Sequence, residues 1–333
     1  MPAPPAGWQP RGHLLRFDVG NVSRRHHFIP RFHLARFKSA DEKIWVLDQA
    51  SLKQWASPVD DVACCNNLYS VDVPGHATDA FEKAFAEVEG KAAEVIKNVL
   101  EMPRPPQPEE IEILANYLAL LVVRVPGKRA SIEKFVDRVY RDVAKLIVAT
   151  EDRWTSTFAK ARAAGAKAKE VGYQQVKAFV ESDAYAIKMG QNWHMQILST
   201  QLDPMIQLLA ARDWSICVSA GQQPEFICSD TPVSLEWIPA GAGPWPPGFG
   251  HRNTEVIVPL STRVALVGRF SHRPSIIGAN AHDVAAINSR TGRCAHRFLY
   301  SASTDFAWLM RTGGIGNKAN LRAAISKSRS KNE

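Results

Sequence analysis

A switch in hydrophobic period, made twice, constrains this chain most. Short alternating stretches come first: Lys43–Asp48 and Ser51–Ala56, joined across Gln49 and Ala50, fit a tight β-hairpin, and residues 67–71 fit a third strand. From residue 78 the period lengthens to that of helices and stays there to residue 212. Thr78 or Asp79 can cap the first of these, which carries Phe81, Phe85, Val88, Ala92, Val95, Ile96 and Val99 on one face. Pro105, Pro106 and Pro108 end it, Glu109 and Glu110 suit the next first turn, and Pro126-Gly127 divides that helix from another over 128–150. Helical patterns follow over 154–170, 172–188 and 191–212. Strands then return. Trp214–Ser219 and Glu225–Ser229 fit one hairpin, Glu255–Leu260 and Arg263–Arg269 a second, then a helix over 281–288 and a last strand over 295–301. The expected class is α+β: a central all-helical block flanked by N-terminal and C-terminal β-strands that can form one mixed sheet.

The domain reading follows. Residues 1–22 are rich in Pro and Gly and fit a disordered N-terminus; 23–303 form the main domain, with the helical block over about 78–212 and a β-rich part over about 213–303; 304–333 read as a basic tail. Charge is unevenly placed. Residues 11–38 hold seven Arg/Lys and one Asp, and residues 311–333 hold six Arg/Lys and one Glu, so of the net +8 these ends supply +6 and +5. The remainder sums to 8 − 6 − 5 = −3, a nearly neutral body with two basic ends that suit a polyanion such as nucleic acid.

Several classes are disfavoured. The longest apolar run, Leu118–Val123, is far short of a membrane span, and Met1-Pro2-Ala3-Pro4-Pro5 lacks the basic start of a signal peptide, so no membrane and a cytoplasmic location are expected. Five cysteines, with Cys64 and Cys65 adjacent and no Cys-x-x-Cys pair, fit reduced buried thiols better than a disulfide frame or a zinc site. No Gly-x-Ser-x-Gly elbow or His-Glu-x-x-His pair occurs, and Gly313–Gly316 lacks a strand-to-helix setting for phosphate.

Candidate chemistry gathers in Arg24–Phe37, where three imidazoles and four guanidiniums meet large apolar residues. Pro30 holds Ile29 extended and suits a helical first turn, with 32–37 as a short helical piece. His26 and His27 then lie in the extended entry, pointing to opposite faces, so one is expected inward and one available as a general base or ligand. Arg24 and Arg25 suit an anionic substrate. Asp230, at the end of an apolar strand, is the second candidate, either as a displayed carboxylate paired with His26 or His27 or as a turn cap taking backbone N–H bonds. His194, at a helix start, and Arg124, near a helix end, are weaker candidates for substrate binding.

The opening pattern His-His-x-x-Pro-x-x-x-Leu-x-x-Phe resembles that of the DUF4238 family, a bacterial group without known function. Asn67-Leu68-Tyr69 with Glu82, Glu87 and Glu89 is similar to a second family block. Phe226–Val233 is similar to its Thr-Ser-Asp-x-Pro block, with Cys228 standing where threonine is usual. Val258–Ser261 and 287–301 are similar to its closing blocks. The resemblance implies positions, not chemistry. His-His-x-x-Pro also resembles the first element of ββα-metal nucleases, and His27, Asn67 and His76 occur in the required order. The gap from His27 to Asn67 is too long for that element, however, and His76 precedes its helix. On the residues, the leading reading is a hydrolase of a phosphate-containing substrate such as nucleic acid, with a divalent metal as the candidate cofactor. The alternative is a non-catalytic module that binds nucleic acid or protein. Oligomeric state is not legible.

Overall fold

The computed structural model describes residues 25–66, 68–69, 80–167, 171–310 and 312–321. Its N-terminal part holds strand β1 (Arg25–His27), the single turn α1 (Arg31–Leu34) continued as a 3-10 turn over Ala35–Phe37, and strands β2 (Ile44–Asp48), β3 (Gln54–Ser57) and β4 (Cys64–Asn66). The helical block follows as α2 (Ala80–Glu101), α3 (Pro108–Val123), α4 (Pro126–Ile147), α5 (Glu151–Ala163), α6 (Tyr173–Glu181) and α7 (Gln191–Ala210). Beyond it lie β5 (Asp213–Val218), β6 (Cys228–Ser229), β7 (Ser234–Trp237), β8 (Thr254–Pro259), β9 (Val264–Arg269), β10 (Ile276–Gly278), α8 (Ala281–Cys294), β11 (Phe298–Ser301), β12 (Trp308–Leu309) and β13 (Ile315–Gly316). The protein is α+β. Within the stretch assigned by composition to a basic tail, Trp308–Leu309 pair with Ile315–Gly316 as the β12–β13 ribbon.

Local chemistry explains the boundaries. At the start of α3 the Glu110 carboxylate accepts the Gln107 N–H and the Glu110 N–H donates to the Gln107 carbonyl, with Pro108 in the first turn. Glu110 is also clamped by the Arg104 guanidinium, which holds its carboxyl below the usual range. Pro126 opens α4 after Val125 turns extended. Of the strand expected over 67–71, residues 68–69 form a bend after β4 and 67, 70 and 71 lie outside the described residues, as do the helix-cap candidates at 78–79.

N- and C-terminal strands do meet in one sheet, ordered β3-β2-β11-β6, but every pairing in it is antiparallel. The mixed sheet is the other one, β10-β5-β9-β8-β7, in which only β10 runs parallel to its neighbour. The expected hairpins β2–β3 and β8–β9 form. The expected β5–β6 hairpin does not, and the two strands belong to different sheets. A side chain is the reason: Asn288 on α8 accepts the Ile227 N–H and donates to the carbonyls of Glu225 and Ala307, taking the place of a ladder across 225–227. The chain thus crosses from one sheet to the other.

Two hydrophobic clusters join these layers. One packs α2, α3 and α7 on the mixed sheet through Ile96, Leu118, Leu209, Trp214, Val256 and Leu266. Trp214 sits over Gly268, where any Cβ would come within 2.7 Å of the indole. The other wraps the N-terminal motif: Phe28, Ile29, Leu34 and Phe37 pack on Val46, Phe85, Leu120 and Tyr300. Burying four motif residues fully, at about 1.5–3 kcal/mol each, anchors the His26–His27 segment to α2 and α3.

Candidate functional site

The apolar residues of the motif fix where its polar ones go. Strand β1 pairs with β4, with His26 opposite Cys65 and His27 opposite Cys64. His26 is buried and His27 half-buried. Strand alternation led us to expect only one of them at a given site. Both line the same pocket of about 340 Å³, together with Arg25, Arg31, Tyr69, Glu82, Glu89 and Arg124.

His26 is held on both ring nitrogens. Its Nδ1 accepts the Tyr69 N–H at 3.0 Å, which places a ring proton on Nε2, 3.4 Å from Glu82. The Tyr69 ring stacks on it with centroids 5.5 Å apart. His27 differs. Its Nε2 is buried without a hydrogen-bond partner. Burial first, then the charges of Arg31 and Arg25, lower its pKa below the usual 6.5, against the opposing pull of Asp60. Burial thus favours the neutral ring, and its Nε2 is the nitrogen left without a partner.

Arg124, at the C-cap of α3, forms the inner wall. Its side chain is 1% exposed; Nε donates to the Phe28 carbonyl at 2.8 Å and Nη1 to Glu89 at 2.5 Å. Nη2 is buried and has no partner, and the Tyr69 hydroxyl shares that condition. Three side chains of one pocket thus each hold a buried polar atom without a partner, a state that costs about 1–3 kcal/mol per group if left dry. Arg25 and Arg31 lie at the exposed rim, paired with Asp61 at 2.9 Å and Asp60 at 3.2 Å.

The other expected residues lie elsewhere. Arg24 is outside the described residues, as are Asn67 and His76 of the nuclease reading. His194, in the first turn of α7, has Nε2 2.7 Å from Glu133 and lines a small neighbouring cavity whose wall also includes Tyr69 and Arg124. Asp230 is not brought to the histidine pocket. It lines a separate cavity of about 350 Å³, and its carboxylate accepts the backbone N–H groups of His296, Arg297 and Phe298 at 2.7–2.9 Å. That is the turn role, capping the start of β11. Burial raises its carboxyl pKa despite those three bonds.

Tyr69, Glu82 and Glu89 were not read as site residues from the sequence. The signal was present: Glu82 and Glu89 are seven apart, hence on one face of α2, while Glu87 lies off that face and pairs with Lys91. Among the described residues no group of three or more His, Cys, Asp or Glu side chains is placed to hold a metal ion, and no helix is long and apolar enough to cross a membrane.

Comparison with known proteins gives one match. The model of the DUF4238 family, described as a protein of unknown function, matches residues 25–305. No curated protein and no solved structure matches the chain.

Proposed function

For this chain, which belongs to the DUF4238 family, we propose that the His26–Arg124 pocket binds a small phosphate-bearing ligand and that His27 acts as base in hydrolysing its ester. One observation carries the reading: Arg124 Nη2, Tyr69 Oη and His27 Nε2 are buried and unpartnered on side chains lining a single pocket. Two of these are donors suited to phosphate oxygens, and the third is a lone pair suited to a water proton. The volume of about 340 Å³ is at the small end for ligand sites, which favours a ligand of nucleotide size or less over a duplex.

In this reading Arg124 binds one phosphate oxygen and the exposed rim arginines steer the anion inward. His27 Nε2 takes a proton from water as the water oxygen bonds to phosphorus. The ester oxygen leaves and takes up a proton from solvent. Arg124 needs no reorganisation, because Phe28 and Glu89 already hold its guanidinium.

A binding module without turnover is the second reading. It is favoured by the way Glu89 and Glu82 already sit against Arg124 and His26. One set of measurements separates them. Purified protein is titrated with inorganic phosphate and with nucleoside monophosphates by calorimetry. It is then assayed on phosphate mono- and diesters with no metal and with Mg²⁺, Mn²⁺ or Zn²⁺. Binding lost in Arg124→Ala, with turnover lost in His27→Gln, supports the hydrolase. Binding without turnover supports the module. No binding of any phosphate compound at millimolar concentration sinks both.

A further inference from the structure

Helices α4, α5 and α6 form an arm with almost no core of its own. Among their residues only Val136 and Val180 are buried, whereas α3 alone buries eight. Large apolar side chains instead face outward on α4: Phe135 is 67% exposed, Val139 39%, Val143 45% and Leu146 62%. At 3.6 residues per turn these four fall within about 80° of the helix circumference and span about 16 Å. A stripe of this kind is unusual on a free surface and marks an interface.

We infer that this stripe is the interface for a second copy of the same chain, with the two α4 helices packed antiparallel about a two-fold axis beside Val139–Val143. The register follows from the sequence. A two-fold interface must be self-complementary. In this register Phe135 meets Leu146 of the second copy, and Val139 meets Val143. Arg138, on the flank of the stripe, then faces Asp142 of the second copy, and the pair occurs twice. Neither Arg138 nor Asp142 makes an ion pair among the described residues, although they are four apart on one helix. Lys134 and Lys145 fall at the solvent-open ends, where their long side chains can separate.

The area is of the right order. Part-exposed aromatic and aliphatic side chains offer roughly 100 Å² each, so the four residues of the stripe supply on the order of 400 Å² per copy, about half of the roughly 800 Å² per partner of a standard interface. The stems of Lys134 and Arg138 extend it. An interface at this low end of the size range is expected to be reversible.

Sedimentation velocity over a concentration series, with circular dichroism to check folding, tests this. The expected result is a monomer–dimer equilibrium that Leu146→Asp weakens by about tenfold or more. Arg138→Asp and Asp142→Arg should each weaken self-association. Mixed together, the two variants should form a heterodimer, because every flank contact is then between opposite charges across the axis. A wild-type chain that stays monomeric at hundreds of micromolar overturns the inference, whether it instead binds lipid vesicles or another protein. So does a dimer that Leu146→Asp leaves unchanged, or a failure of the two charge variants to pair.

Discussion

Arg124 Nε donates to the Phe28 carbonyl across 2.8 Å, tying the end of α3 to the residue that follows the two histidines. Glu89 on α2 fixes the same guanidinium from another side. Three separate segments thus meet at one buried cation, and the fork geometry of arginine is what lets it serve all of them.

Removing that cation should cost both fold and ligand. Arg124→Ala leaves Glu89 and the Phe28 carbonyl without their partner, so a loss of about 3–5 kcal/mol in urea unfolding is expected. Arg124→Lys keeps the charge but cannot bridge both partners and reach the pocket, so it should recover part of the stability and little of the phosphate binding. Full binding in the lysine variant would show that Nη2 has no part in it.

His33 sets an acid limit on the fold. It is fully buried, with Nδ1 2.9 Å from the Tyr117 hydroxyl, and burial holds its pKa down to about 3. Below the usual value of 6.5 the unfolded chain gains a proton there that the folded chain refuses, so stability falls as pH drops from about 6.5 towards 3. The slope from this group is about 1.4 kcal/mol per pH unit, or roughly 3 kcal/mol between pH 6.5 and 4. His27 and His194, also lowered by burial, act in the same direction. Urea midpoints measured across that range should fall accordingly. A profile flat down to pH 4 would contradict a neutral buried His33.

Asp230→Asn should separate structure from chemistry. The amide keeps one acceptor oxygen for the His296–Phe298 amides but loses the charge and the other acceptor. A loss of about 2–3 kcal/mol in unfolding free energy is expected, since hydrogen bonds to a charged group are worth about 1.5–3 kcal/mol each. Phosphate binding at the histidine pocket should be unchanged. A variant of wild-type stability that no longer turns over substrate would return Asp230 to the active site.

What the sequence made legible divides along range of interaction. The helices, their proline boundaries and the β2–β3 and β8–β9 hairpins rest on local period and turn chemistry, and these were readable. The β5–β6 relation was not, because Asn288, 61 residues from Ile227, supplies the bond that diverts the chain. The site was half legible for a similar reason. His26, His27, Arg25 and Arg124 stood out as residue types, yet only the packing of Phe28 and Ile29 under α2 and α3 brings Glu82, Glu89 and Tyr69 beside them. Asp230 read equally well as cap or carboxylate, and three backbone amides occupy it.

The two histidines should respond differently to the same substitution. His27 keeps a buried Nε2 without a partner, whereas His26 is committed to the Tyr69 amide and faces Glu82. His27→Gln should lower kcat on a phosphate ester by two to four orders of magnitude, roughly the worth of a general base, with little change in stability. His26→Gln should instead lower stability and loosen Tyr69, raising KM more than it lowers kcat. The pH profile gives an independent check. Because burial and then Arg31 hold the His27 pKa below 6.5, the base stays neutral into mild acid, and kcat/KM should fall off only below that pH. An acidic limb centred above pH 7, or one unaltered in His27→Gln, would remove His27 from the role of base.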